Sequence, residues 1–139
     1  MQGKPQGSMG RPFALLGLLV LPVLLGACSE PLVYFAGGRL DGEEAPLTRM
    51  PTEGGVFQLE TLPADPYSVN IGFFVVDGTI YIDPAEDRQW YQNIQADPAV
   101  RIRFAGSDQI HPMTAVRETN PAIIAQFDPE RIVMRLEPR

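Results

Sequence analysis

The side chains that could do chemistry are few, because the 139 residues include one cysteine and one histidine. Cys28 has no second cysteine in the chain with which to form a disulfide or a CxxC centre. His111 has no second histidine or cysteine near it, so the sequence indicates no metal site or catalytic triad around it. Hydrogen bonding and aromatic stacking to a ligand remain as the chemistry to examine.

One candidate binding segment begins with Tyr67, Ser68 and Asn70, whose hydroxyls and amide could hydrogen-bond a ligand. They stand at the start of a predicted strand, where side chains can line a cleft. The alternative interpretation is an ordinary polar strand start, with a buried hydroxyl bonded to the backbone. Both interpretations are open on the sequence alone.

A second candidate group lies on a predicted helix and consists of Arg88, Trp90 and Asn93. Arg88 could hold an anion, Trp90 could stack on a flat ring, and Asn93 could contact a ligand. Trp90 could instead belong to the core, and Asn93 could stop the helix end from fraying. Arg101 and Arg103 alternate outward on a later strand, either as a solvated face or toward an anionic ligand or dimer groove.

Composition excludes several classes of protein. The formal net charge is −6, with 11 basic and 17 acidic residues, which argues against binding nucleic acid through bulk positive charge. The hydrophobic fraction of 45% excludes a disordered acidic tail, and the length suits one domain. Adjacent carboxylates such as Glu43-Glu44 and Glu86-Asp87 fall in loop or capping contexts, so they predict no glycosidase pair.

The elements that must position the candidate residues follow from alternation and turn signals. Asp77-Gly78 between apolar runs predicts a hairpin, and Asp83-Pro84-x-Glu86 predicts a capped helix start. Strands are predicted over residues 56–62, 68–76, 79–82, 99–105, 109–117 and 131–137, and helices over 84–96 and 121–126. The predicted fold is mainly β (α+β): a small six-stranded antiparallel barrel with two short helices, which hides its strand edges.

The N-terminal segment looks like a secretion signal. Lys4 and Arg11 precede an uncharged run over residues 13–27 that is short for a membrane span. The run ends in Leu-Gly-Ala-Cys28-Ser29, which resembles the lipobox of bacterial lipoproteins. That resemblance implies cleavage before Cys28, lipid attachment to its thiol and, with Ser29 following, transport to the outer membrane, facing the periplasm. The alternatives are an ordinary signal peptide with an unrelated cysteine, or an uncleaved anchor.

Cleavage there would divide the chain into a signal peptide (1–27), a lipid-anchored tether (28–54) and a barrel domain (55–139). Lys4 and Arg11 are the only charged side chains in the removed part, so the net charge of −6 becomes −8. Lys4 is also the only lysine, which excludes a lysine nucleophile or a lysine phosphate clamp from the processed protein.

A wider pattern resembles the split-barrel flavoproteins, which include pyridoxamine-phosphate-oxidase-like proteins and deazaflavin-dependent nitroreductases. The pattern consists of Asp77-Gly78-x-x-Tyr81, Arg88, Asn93 and Asp97-Pro98-x-Val100-x-Ile102-x-Phe104. It covers roughly residues 56–139. In the oxidase branch the position of Arg88 belongs to a Ser-Arg-Lys motif that holds the flavin phosphate. Here it reads Asp87-Arg88-Gln89, which keeps the arginine and adds a carboxylate.

The resemblance implies a split β-barrel, FMN or a deazaflavin as the cofactor class, and a homodimer with the ligand at the subunit interface. The implied ligand-binding residues are Tyr67, Ser68, Asn70, Arg88, Trp90 and Asn93. Two functions remain open. One is a lipid-anchored envelope protein that binds a small planar ligand or a partner without catalysis, and the other is a flavin- or deazaflavin-dependent oxidoreductase that reduces small electrophiles.

Overall fold

The computed structural model describes residues 37–139. The predicted signal peptide, Cys28 and the beginning of the tether lie outside the described residues. The strands are β1 Glu43–Glu44, β2 Gly55–Thr61, β3 Tyr67–Val76, β4 Thr79–Ile82, β5 Ala99–Phe104, β6 Gln109–Arg117 and β7 Met134–Pro138. The helices are α1 Gln89–Ala96 and α2 Pro121–Ile124.

Six of these strands close into an antiparallel barrel. The pairing order runs β6-β5-β2-β3-β4-β7, and β7 pairs back onto β6, so the sheet has no open edge among these strands. The prediction of a six-stranded antiparallel barrel with two short helices is confirmed. β1 adds outside this ring, parallel to the first residues of β6.

The β3–β4 hairpin forms where the sequence predicted it. Asp77 and Gly78 both have positive φ, at 50° and 74°, which is the backbone of a two-residue turn that matches strand twist. Val76 then pairs with Thr79 and Val75 with Ile80. The hairpin sets the register of β3, on which three of the predicted site residues stand.

The start of α1 differs from the prediction. The helix begins at Gln89 rather than Pro84, and Arg88 is its N-cap residue without a side-chain cap. A helix starting at Pro84 would need the Pro84 carbonyl to accept from the N–H of Arg88. That carbonyl instead accepts from the N–H of Ile132 at 3.0 Å, and Arg88 N–H donates to Ala85 O at 3.2 Å. A long-range hydrogen bond therefore replaces the local helix start.

Other element ends shift by smaller amounts. Leu62, predicted in β2, has a φ of 53° and leaves the strand. Ala105, predicted in β5, lies in the turn before Gly106. α2 ends two residues before the predicted Gln126, although Asn120 caps it as its type predicts, its side chain accepting from Ala122 N–H at 3.0 Å. β7 begins three residues late, because Arg131 N–H closes a turn onto Asp128 O.

The core fills the barrel and the space under α1. Phe57 and Phe73 stack with ring centroids 4.8 Å apart, and Phe104 meets the edge of Phe73. Tyr91 and Ile94 bring α1 onto the core. Further buried residues are Leu59, Ile80, Ile82, Val100, Ile102, Met113, Met134 and Leu136. Trp90 and Phe104 are half-buried and pack against the margin of this core.

Residues 37–50 lie along the outside of the barrel. Glu43–Glu44, predicted as loop, forms β1 and pairs with Gln109 and Ile110. Gly42 permits this approach, because a Cβ there would collide with the Asp108 carbonyl. Leu40 is buried, and the backbone of Gly37 exchanges two hydrogen bonds with that of Ser68. This segment covers a face of the barrel that would otherwise meet water.

Candidate functional site

A cleft of about 340 Å³ opens where β3 passes the first turn of α1. Its floor is apolar and its walls carry aromatic rings and charged groups. The lining residues are Tyr67, Val69, Ile71, Gly72, Phe74, Asp83, Asp87, Arg88, Gln89, Trp90 and Arg131. This combination of apolar surface with a few polar groups is typical of small-molecule sites.

The short helix explains which side chains reach the cleft. Arg88, the N-cap residue, and Gln89 and Trp90 of the first turn line the cleft, while Tyr91 and Ile94 are buried in the core. The first turn has no acidic side chain and no side-chain cap, so the positive end of the helix dipole is not offset there. The N-terminal end of α1 and Arg88 therefore bring positive charge to the cleft, and Asp87 brings negative charge beside them.

Asp83 and Arg131 also line the cleft. Burial raises the pKa of Asp83, the negative charge of Asp128 raises it further, and the charge of Arg131 works in the other direction. Arg131 donates from Nη1 to the Asp83 carbonyl oxygen at 3.3 Å, and its side chain is exposed. Asp83 therefore keeps an unfavourable environment for its charge, although an arginine stands beside it.

Of the six predicted binding residues, the cleft brings together Tyr67, Arg88 and Trp90. Ser68 and Asn70 do not line it. Ser68 is buried where the 37–50 segment crosses β3. Asn70 lines a separate surface depression with Gln58 and Phe104. They point away from the cleft because side chains alternate along a strand, and the cleft takes Tyr67, Val69 and Ile71 from this part of β3.

Asn93 does not line the cleft either. It is 5% exposed, its Nδ2 donates to Thr61 Oγ1 at 3.0 Å, and its Oδ1 accepts from Gln89 Nε2 at 2.9 Å. Thr61 in turn donates to the Tyr67 carbonyl at 3.2 Å. The side chain of Asn93 thus joins α1 to β2 and to the start of β3, which positions the cleft residues Gln89 and Tyr67.

Asp83 and Arg131 are cleft residues that the sequence analysis did not identify as a site. Asp83 was predicted to cap a helix, and Arg131 to begin a strand. They are 48 residues apart, and both predictions rested on local patterns. Asp87 was noted only as a departure from a phosphate motif. The one available signal was the concentration of charge around Asp83-x-x-Glu86-Asp87-Arg88.

Arg101 and Arg103 do not form the solvated face or the ligand-facing pair that alternation allowed. Glu60 is 1% exposed and accepts from Arg101 Nε and Nη2, each at 2.8 Å, and from Leu40 N–H at 2.6 Å. Arg101 also donates to the Leu40 carbonyl at 3.1 Å and to Glu44 at 3.2 Å. We call Leu40, Glu44, Glu60 and Arg101 the Arg101 clamp.

In the clamp the pKa of the buried carboxyl is lowered, whereas in the cleft the pKa of Asp83 is raised. Burial by itself raises the pKa of Glu60, but the hydrogen bonds from Arg101 and Leu40 N–H, with the charge of Arg101, more than offset it. The pKa of Glu60 therefore lies below its ordinary value. Arg103 beside it donates to Gln58 Oε1 and to the Asp41 carbonyl, both at 2.7 Å. Both arginines hold the 37–50 segment on the barrel.

His111 is buried and serves the same segment. Its Nδ1–H donates to the Ala45 carbonyl at 2.8 Å, and its ring packs 5.8 Å from that of Phe104. It does not line the cleft. Across residues 37–139, no group of three or more His, Cys, Asp or Glu side chains is arranged to hold a metal ion. Within the same residues, no helix is long and apolar enough to cross a membrane.

Comparison with known proteins identifies the fold. No family model matches the chain, and no curated protein is similar to it. Among solved structures, it is similar to a provisionally named pyridoxamine 5'-phosphate oxidase from Listeria innocua, with a TM-score of 0.52 and 16% identity. The match covers 60% of this chain and 83% of that one. The fold is a split β-barrel of the pyridoxamine 5'-phosphate oxidase-like type.

The cleft residues of this split barrel do not fit a phosphorylated flavin. A phosphate monoester carries a charge near −2 and is held by converging cations. The charged residues of this cleft are two aspartates and two arginines, which balance formally, and Asp128 adds negative charge at Asp83. The residues from 37 to 139 contain no lysine. The walls suit the ring of such a ligand, whereas the charges do not suit its phosphate.

Proposed function

We propose that this protein is a lipid-anchored envelope protein whose split barrel binds a small planar ligand or a partner group without catalysing a reaction. The observation that carries the binding part is the cleft in which Tyr67 and Trp90 stand beside Arg88 and Arg131. Aromatic faces bind flat rings, and guanidinium groups bind carbonyl or anionic oxygens.

The absence of catalysis is proposed from what the potential catalytic groups already do. His111 donates to a backbone carbonyl outside the cleft. Asp83 and Asp87 lie in the cleft, but neither stands in a described contact with a nucleophilic side chain that it could activate. The residues of the cleft are thus equipped to bind and orient a molecule rather than to transfer its protons.

Ligand binding is tested on the full chain in detergent. Its absorption spectrum is recorded during titration with riboflavin, FMN, the deazaflavin cofactor and haem. We expect a saturable shift with at least one of them, and Arg88→Ala should weaken it several-fold, because a charge-assisted hydrogen bond contributes about 1.5–3 kcal/mol. Arg117→Ala, which removes an exposed arginine on β6, is the control. Equal binding by both variants would remove Arg88 from the site.

The alternative function is a flavin- or deazaflavin-dependent oxidoreductase that reduces small electrophiles. It is supported by the split-barrel fold and by the aromatic cleft walls. The same titration separates it from binding alone. A bound flavin that is reduced chemically and then reoxidised rapidly by an added nitro compound or quinone, in stoichiometric and repeated cycles, would favour the enzyme over the binding protein.

The anchor is proposed from Cys28 and the residues around it, which lie outside the described part of the chain. Cys28→Ser should move the protein from the membrane fraction into soluble or unprocessed forms, because several acyl chains are needed for stable anchoring. The measurement is fractionation of cells labelled with a radioactive fatty acid. Labelling that persists in Cys28→Ser would contradict the lipoprotein assignment.

Self-association is also proposed, because the split-barrel resemblance implies a homodimer. Light scattering on the purified full chain in detergent would give the mass of the protein part. The whole chain has a mass of 15.3 kDa, and cleavage would remove the signal peptide from each copy. We expect a protein mass near twice that of one processed chain.

A further inference from the structure

The charges around the cleft select among ligands that share one ring system. Four charged side chains line it, and they are balanced in sign: Asp83 and Asp87 carry negative charge, and Arg88 and Arg131 carry positive charge. A compact dianion placed among them would meet two carboxylates as well as two guanidinium groups. Such a ligand therefore gains little from the two arginines.

The acidic side extends beyond the lining itself. Asp128 acts on Asp83, and a second depression that shares Phe74 and Asp83 with the cleft also contains Asp128. Arg131 is partly committed, since its Nη1 donates to the Asp83 backbone carbonyl. The negative charge near Asp83 therefore comes from two carboxylates, its own and that of Asp128, and Arg131 is the guanidinium that acts on it.

The first turn of α1 favours negative charge on a ligand, but it offers less than one unit of positive charge for it. Its dipole end carries about half a unit of positive charge, and no side-chain cap or acidic residue of that turn offsets it. A partial negative charge, such as that of a carbonyl oxygen, matches this end of the helix together with Arg88. A full dianion would gain from the same groups but would pay the repulsion of Asp87 and Asp83.

The rest of the cleft is built for a flat apolar body. Val69 and Ile71 belong to the floor, Phe74 is 44% exposed at the edge, and Trp90 and Tyr67 present rings. Burial of such surfaces favours binding without any demand on charge. The affinity of a ligand here should come from its ring, and its charge should decide which ring compounds are excluded.

From this arrangement we infer that the cleft binds an uncharged planar ring compound that carries carbonyl groups, and discriminates against the phosphorylated form of the same ring. The inference rests on the proposed function and names the ligand class for it. It separates this barrel from a phosphate-anchored flavin site: the ring surfaces are present, while the groups that would anchor a phosphate are cancelled by Asp83 and Asp87.

Riboflavin and FMN test the inference, because they share one ring and differ by a single phosphate. Trp90 is the only tryptophan and lies in the cleft wall, so quenching of its fluorescence reports binding at this place. Equilibrium dialysis with the full chain in detergent gives the dissociation constants independently. We expect riboflavin to bind at least about tenfold more tightly than FMN, which corresponds to about 1.4 kcal/mol.

Charge variants show whether the aspartates cause the preference. Asp87 is exposed, so Asp87→Asn should fold and should narrow the ratio of the two dissociation constants about threefold or more. Asp108→Asn removes the same charge from an exposed turn outside the cleft and should leave the ratio unchanged. Added salt should also narrow the ratio in the native chain, since it screens the repulsion.

Each outcome separates the two proposals. FMN binding as tightly as riboflavin, or more tightly, overturns the ligand class but leaves the cleft as a binding site. Quenching by haem or the deazaflavin cofactor with no response to riboflavin has the same consequence. An equal change of the ratio in Asp87→Asn and Asp108→Asn overturns the role given to Asp87. No quenching by any of these compounds overturns both the ligand class and small-ligand binding at this cleft.

Discussion

The Arg101 clamp and the cleft both place arginine beside a carboxylate, yet they treat the charges differently. In the clamp, Glu60 receives two bonds from Arg101 and one from Leu40 N–H, and its pKa falls below the ordinary value. In the cleft, Arg131 bonds the backbone carbonyl of Asp83 rather than its carboxylate, and the pKa of Asp83 is raised.

The difference teaches that proximity of opposite charges does not by itself stabilise a carboxylate. Burial raises the pKa at both places. At Glu60 the hydrogen bonds from Arg101 and Leu40 N–H, with the charge of Arg101, more than offset burial, whereas at Asp83 the charge of Arg131 and a hydrogen bond from its own backbone do not. Glu60 has them because it lies opposite Arg101 in the β2–β5 register. The clamp therefore uses its charges for structure, whereas the arginine beside Asp83 leaves that carboxyl with a raised pKa.

The largest effect on the free energy of unfolding is expected from removing Arg101 from the clamp. Arg101→Leu leaves Glu60, which is 1% exposed, without its charged partner, and should lower the free energy of unfolding by about 3–5 kcal/mol. Urea unfolding followed by Trp90 fluorescence measures it. Arg103→Leu is the matched control on the same strand and face, and should cost about 1 kcal/mol because its partners are uncharged.

Equal losses in the two variants would contradict the distinction between them. A second measurement keeps the test sharp if Arg101→Leu fails to fold. The double variant Glu60→Leu/Arg101→Leu should recover most of the loss, because apolar replacement of a whole buried ion pair is often neutral.

A change in pH is expected to have an intermediate effect on the free energy of unfolding. The stability that Glu60 contributes in the native chain is present above its unfolded pKa, near 4.3, and is lost as pH falls through its lower folded pKa. In Arg101→Leu the sign reverses, because burial then dominates and raises the pKa of Glu60 above the unfolded value. Acidification from about pH 7 to about pH 4.5 should therefore stabilise this variant relative to the native chain.

The difference in stability between the native chain and Arg101→Leu is measured from their urea midpoints at several pH values. The comparison cancels the titration of groups that both share. A gap that stays constant over this pH range would show that the loss in Arg101→Leu comes from packing rather than from the charge of Glu60.

The smallest effect is expected at the corresponding cleft residue. Arg131 is exposed and makes a 3.3 Å bond to a backbone carbonyl, so Arg131→Gln should change the free energy of unfolding by less than about 0.5 kcal/mol. The same urea assay applies. A loss above about 1 kcal/mol would show that Arg131 stabilises the fold as Arg101 does, which would contradict the difference between the clamp and the cleft.

The barrel itself was largely predictable from the sequence, because its signals are local. Alternation identified the strands, Asp77-Gly78 identified the hairpin, and Asn120-Pro121 identified the start of α2. The number of strands then favoured closure, since open edges are costly. Half of the predicted binding residues reach the cleft, because the register of β3 decides which of Tyr67, Ser68 and Asn70 face it.

What the sequence determined by itself is thus the set of strands and turns, through backbone preferences that act over a few residues. The tertiary structure decided where α1 begins, because Ile132 takes the Pro84 carbonyl, and it decided which arginines are structural. Glu60 and Arg101 are 41 residues apart, and Asp83 and Arg131 are 48 apart. Their charges meet only after the barrel closes, and hydrogen-bond geometry at that point separates a clamp from a binding cleft.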